Sequence, residues 1–103
     1  MNVKTYDYDD LRSTDYRNDD TYKFEFIADI AGDNADLFDG LDNHEVNVKL
    51  KKKGVLSKED CDDVESCCYY VYFKTKEAGM SFIDKLNGYI AEKAQLIRAA
   101  AAF

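Results

Sequence analysis

Apolar and polar residues alternate in three stretches of this chain. Along residues 22–30, YKFEFIADI, Tyr22, Phe24, Phe26, Ala28 and Ile30 share one side, and Lys23, Glu25 and Asp29 the other. That period of two, rich in aromatic groups, predicts a half-buried strand ended by Ala31-Gly32. Residues 44–53, HEVNVKLKKK, alternate again. Val46, Val48 and Leu50 would face in, with Glu45, Asn47, Lys49 and Lys51 facing out, which predicts a second strand closed by Gly54. Residues 67–75, CCYYVYFKT, predict a third, with Tyr69, Val71 and Phe73 on one face and Cys68, Tyr70 and Tyr72 on the other. Two such faces suit a central strand or one with an interface side.

After Thr75 the period changes. Phe82, Ile83, Leu86, Tyr89, Ile90, Ala94 and Ile97 recur at three- and four-residue steps, which predicts a helix from Lys76 to about Ile97. Thr75 is placed to cap it, and Glu77 suits its first turn. Gly79 and Gly88 weaken it. The tail RAAAAF either extends it or frays.

The connections are acidic. In residues 33–43, DNADLFDGLDN, the spacing of Leu37, Phe38 and Leu41 reads as one or two helical turns, or as an acidic loop, with Asp33 available as a cap. In residues 54–66, GVLSKEDCDDVES, Ser57 and Asp60 form a capping signal for a short helix. The expected fold is α+β, an antiparallel sheet of about three strands packed on one face by the C-terminal helix. The other face would stay open and carry Tyr70 and Tyr72. Residues 1–21 read as an acidic arm containing Tyr6, Tyr8, Leu11 and Tyr16. The arm is either solvated or docks its tyrosines. Residues 22–103 then form a single domain.

Charge changes the picture more than composition does. Residues 1–65 hold 18 Asp and Glu against 9 Lys and Arg, while residues 66–103 hold 3 against 5, so the net −7 lies on the first two-thirds. Such a field repels nucleic acid and membrane surfaces and attracts basic ones. The acids form three groups: Asp7, Asp9, Asp10, Asp15, Asp19 and Asp20 in the arm; Asp33, Asp36, Asp39 and Asp42 at three-residue steps; and Glu59, Asp60, Asp62, Asp63 and Glu65. On a helix, the three-residue steps would rise about 4.5 Å each. Duplex DNA presents one phosphate per ~3.4 Å on each strand. Carboxylates so spaced can imitate a phosphate ladder in a basic groove, although acidic residues also serve simply as a solubilising surface. Tyr70 and Tyr72, like the arm tyrosines, add the aromatic area and hydrogen bond that binding hot spots use. A covered sheet face or a homodimer contact is the other reading of Tyr70 and Tyr72.

Other chemistry finds little support. An EF-hand loop begun at Asp33 places Ala35, Leu37 and Phe38 where oxygen ligands and glycine belong, and one begun at Asp36 places Phe38 and Gly40 there. Cys61, Cys67, Cys68 and His44 include no C-x-x-C pair, which argues against zinc. The odd cysteine count argues for free thiols in a reducing cytoplasm. No nucleophile elbow, phosphate loop or dinucleotide fingerprint is present, so the expectation is a non-enzyme without cofactor. Lys51, Lys52 and Lys53 read as the guard of an edge strand. No apolar run is long enough to span a bilayer, and MNVKTYDYDD has no secretory core.

In size, acidity, absence of proline and lack of motifs, the chain resembles the small inhibitors made by phages and mobile elements, the anti-CRISPR proteins and anti-restriction DNA mimics. The likeness rests on the acid groups at Asp33–Asp42 and Glu59–Glu65 with interleaved tyrosine. It implies a protein that blocks the nucleic-acid groove of a Cas effector or restriction nuclease, in a host cytoplasm, by acidic contacts. The contact residues would be Asp9, Asp10, Asp33, Asp36, Asp39, Asp42, Glu59, Asp60, Asp62, Asp63, Glu65, Tyr70 and Tyr72. Two features depart from that class: the C-terminal third is not acidic, and Lys49–Lys53 interrupts the field, so a mimic would be one-sided. The alternative is a regulatory interaction domain, as a homodimer through the Tyr70/Tyr72 face or the long helix.

Overall fold

The computed structural model describes residues 3–14 and 21–101. Its sheet has four antiparallel strands: β1 (Leu11–Ser13), β2 (Phe24–Ala28), β3 (Cys61–Val64) and β4 (Tyr69–Phe73), in the order β1-β2-β4-β3. The fold is α+β. β2 and β4 form the centre, paired Phe24 to Phe73, Phe26 to Val71 and Ala28 to Tyr69. Directly opposed residues share a face, so these six make the inner face. Glu25, Ile27, Tyr70 and Tyr72 lie on the outer one, joined by Arg12 of β1 and by Cys61 and Asp63 of β3.

The inner face is covered by helix α4 (Lys76–Ala101). Thr75 caps it as expected, its hydroxyl accepting the Ala78 N–H at 3.1 Å. Phe82 sits at the centre of the core, with ring centroids 5.4 Å from Phe26, 5.4 Å from Phe73 and 6.3 Å from Tyr69. At Gly79 the helix approaches β1 closely: a Cβ there would lie 2.6 Å from the Leu11 methyls, which would have to shift. At 1.5 Å per residue the helix runs for about 40 Å, longer than the sheet it covers. Residues 95–101 are consequently exposed, including Leu96 and Ile97, although Ile97 follows the apolar spacing.

Residues 44–53 are not a strand. Residues 44–52 lie in helix α3 (Asn43–Lys52), and Lys53 is its C-cap. The Asp42 side chain accepts the Glu45 N–H at 2.9 Å and Glu45 reaches back to the Asp42 N–H, a capping box. At the other end Gly54 takes φ 70°, its N–H bonding to Lys51 O at 3.2 Å while the Val55 N–H bonds to Leu50 O at 3.0 Å. That is a Schellman stop, which favours glycine because only glycine adopts a left-handed backbone without penalty. Val46 and Leu50 are four apart, so a strand and a helix bury both. Val48 separates the two cases, and it is 52% exposed. Lys51–Lys53 thus end a helix, where they oppose its dipole, and guard no strand edge.

Two short helices, α1 (Ile30–Asp33) and α2 (Ala35–Phe38), fill the first connection and bury Ile30, Leu37 and Phe38. The second connection holds a turn at Ser57–Asp60 instead of a helix, then β3, a strand that CDDV does not advertise. Residues 3–14 pack on the domain. After a single 3₁₀ turn (Tyr8–Asp10) they add β1, and Tyr6 is buried against Phe26 with ring centroids 5.2 Å apart. Asp15, Tyr16, Asp19 and Asp20 lie outside the described residues.

Candidate functional site

The arm is held by Asn87 of α4, which treats it as a neighbouring strand would. Its Oδ1 accepts the Tyr6 N–H at 2.8 Å and its Nδ2 donates to Tyr6 O at 2.6 Å. Buried Asn34 adds a second tie, its Oδ1 accepting the Lys4 N–H at 2.7 Å. The ties carry the arm acids to the rest of the charge. The Tyr6 hydroxyl donates to Asp33 Oδ2 at 2.8 Å, and the Tyr8 hydroxyl donates to Asp84 Oδ1 of α4 at 2.8 Å. Burial, the bond to Asp33 and the charges of Asp33, Asp29 and Asp10 push the Tyr6 hydroxyl well above the usual phenol range. The same charges that perturb Tyr6 define one acidic face. It comprises Asp10 of the arm turn with Asp29 and Asp33, at the two ends of α1, while Asp84 is tied to the arm separately through Tyr8.

The acids at three-residue steps do not form a ladder on one helix. Asp33 ends α1, Asp36 lies in α2, Asp39 sits past α2 in the left-handed region with φ 46°, and Asp42 caps α3. Several have structural duties. Asp7 caps the 3₁₀ turn, Asp29 accepts the Gly32 N–H and the Asn43 Nδ2, and Lys4 lies 3.7 Å from Asp33. Asp9, Asp36 and Asp39 are exposed.

The third group is divided by β3. Asp62 points to the inner face, accepting from Asn47 Nδ2 at 2.8 Å and lying 3.2 Å from Lys51 Nζ. Asn47 in turn accepts the Tyr69 hydroxyl at 2.7 Å. Asp60 is half-buried, and that burial raises its carboxyl above the ordinary range despite the Ser57 N–H and nearby Lys85 and Lys74. Glu59, Asp63 and Glu65 are exposed. Asn43 Nδ2 donates both to Asp29 at 2.9 Å and to Ser66 O at 3.0 Å, which ties the residue after Glu65 to the start of α1. On the outer sheet face Tyr70 is half-buried and Tyr72 is buried, so Tyr72 presents little surface. A hydrogen bond with the Cys68 thiol pushes Tyr70 up to about 12.

No family model, curated protein or solved structure matches this chain. Among the described residues no group of three or more His, Cys, Asp or Glu is placed to hold a metal ion, and Cys61, Cys67 and Cys68 are free thiols. No described helix is long and apolar enough to cross a membrane. Reading the sequence missed Asn34, Asn43, Asn47 and Asn87, the amides that assemble the acidic face and anchor β3. Asn43 had a signal, since it follows the cap of a D-x-x-E box. The other three had none.

Proposed function

We propose that this protein is a non-enzymatic inhibitor that binds the basic nucleic-acid-binding site of a host defence protein, a CRISPR effector or restriction nuclease, through an acidic face. The observation that carries the reading is the Tyr6 hydroxyl bonded to Asp33 at 2.8 Å with the charges of Asp29 and Asp10 also acting on it, which brings arm acid and the acids at the ends of α1 near one another. The contact set is narrower than the acid count implies. Asp9, Asp10, Asp36 and Asp39, with Glu65 at the hairpin, are exposed, although Asp10 also accepts the Asp7 N–H at 2.9 Å. Asp62 is held inside by Lys51 and Asn47, and Asp42 is committed to its cap.

Paired neutralisations test this. Asp9→Asn with Asp10→Asn, and separately Asp36→Asn with Asp39→Asn, remove charge without removing volume. Each pair weakens capture of the basic partner about tenfold or more and reduces the dependence on salt. Asp62→Asn leaves capture unchanged. Equal capture by all three variants would contradict the reading. The alternative, an interaction domain that pairs with itself, draws on Ile27, 45% exposed beside Tyr70 on the outer sheet face. Light scattering that shows a monomer at every concentration removes it.

A further inference from the structure

The acidic face leaves one concentration of positive charge without a role. Lys49, Lys52 and Lys53, on and just after the last turns of α3, meet Lys93 of α4 across a groove of about 350 Å³ lined also by Tyr89, Leu96 and a single carboxylate, Glu92. Helix-dipole compensation accounts for the three lysines of α3. It does not account for Lys93, nor for Leu96, which is 63% exposed on the same groove. The ammonium groups are spread out. Lys93 Nζ lies 5.7 Å from the ring centroids of both Phe38 and Tyr89, and Lys53 Nζ lies 3.9 Å from Glu92. Among the described residues no ion pair engages Lys49 or Lys52.

This arrangement selects the occupant. A compact polyphosphate needs several donors aimed at one point, and here two of the four heads are turned to other groups. Lysine stems are apolar and keep their charges at the rim. With exposed Leu96 and the rim of the buried Tyr89 they make an apolar trough edged by positive charge. We propose that the α3–α4 groove docks a short acidic segment of a partner protein. An apolar side chain of that segment rests on Leu96 and the lysine stems, and its flanking carboxylates meet Lys49 and Lys52. This is a second surface, independent of the acidic face.

Anisotropy of a labelled peptide that alternates Glu with Leu, titrated with the full chain at low salt, tests it. Inorganic triphosphate serves as competitor. Saturable binding is expected. It should fall about tenfold or more in Lys49→Gln with Lys52→Gln, and several-fold in Leu96→Ser, whose exposed position leaves the fold intact. Asp9→Asn with Asp10→Asn should leave it unchanged, which separates this surface from the acidic one. No saturable binding would overturn the proposal, as would equal affinity in both groove variants. Displacement by triphosphate with no effect of Leu96→Ser would also overturn it, and would make the groove a plain anion site.

Discussion

The Tyr6 hydroxyl is buried, yet it faces carboxylates. Burial comes first and the charges follow, and both favour the protonated phenol in the folded state. Tyr69 is raised for the same leading reason, burial. The folded protein therefore keeps protons that the unfolded chain releases at the ordinary value of 10.0. The stability from these groups is fully present below that pH and is lost as pH rises above it. Urea midpoints should be flat from neutral pH to about pH 9 and should decline beyond about pH 10. Tyr6→Phe should lower the neutral plateau by about 1 kcal/mol, through the lost bond to Asp33, and should make the alkaline decline shallower. A second residue tests α4 itself. Gly88 is exposed in mid-helix, and a Cβ there meets nothing within 4 Å. Gly88→Ala should stabilise the protein by about 0.5–1 kcal/mol in chemical denaturation.

At the scale of elements, α3 is where the two periods compete. If residues 43–52 are helical, Val46 and Val48 have opposite fates, whereas in a strand they would share one. Val46→Ala should cost about 2 kcal/mol, because Val46 is fully buried. Val48→Ala should stay within about 0.5 kcal/mol of the parent, because its side chain is exposed and alanine favours a helix. Matched denaturation curves of the two variants check the assignment. Much of the architecture was legible where one period dominates: β2, β4, α4 and its Thr75 cap follow directly from spacing. α3 carried its own signals, the Asp42–Glu45 box and Gly54, but Val46, Val48 and Leu50 also satisfy an alternation. β1 and β3 were hidden for another reason. They are edge strands of three and four residues, and β3 turns Asp62 inward because Asn47 and Lys51 receive it from a helix distant in sequence. The acidic candidates were legible as a list. Their grouping depends on the side-chain amides of Asn43 and Asn87, which no local pattern marks.

For the whole molecule, the fold sorts charge that the sequence only counts. Asp10, Asp29 and Asp33 gather around Tyr6 and Asp84 meets Tyr8, while Lys49, Lys52, Lys53 and Lys93 gather at the α3–α4 crossing. The lysine run that interrupts the acidic field along the chain therefore has its own place in space. Asp62 and Asp42 are held by packing and capping, whereas Asp9, Asp36 and Asp39 lie exposed at the surface. Attraction of this kind raises association rates and fades with ionic strength. The central claim is that this face occupies a site made for nucleic acid. The most direct measurement immobilises the protein, captures its partner from host lysate at low salt, and then adds duplex DNA. The account predicts that DNA releases the captured protein in proportion to its concentration, and that the Asp9→Asn, Asp10→Asn variant captures about tenfold less. A partner that stays bound in excess DNA and is held equally by that variant would contradict it.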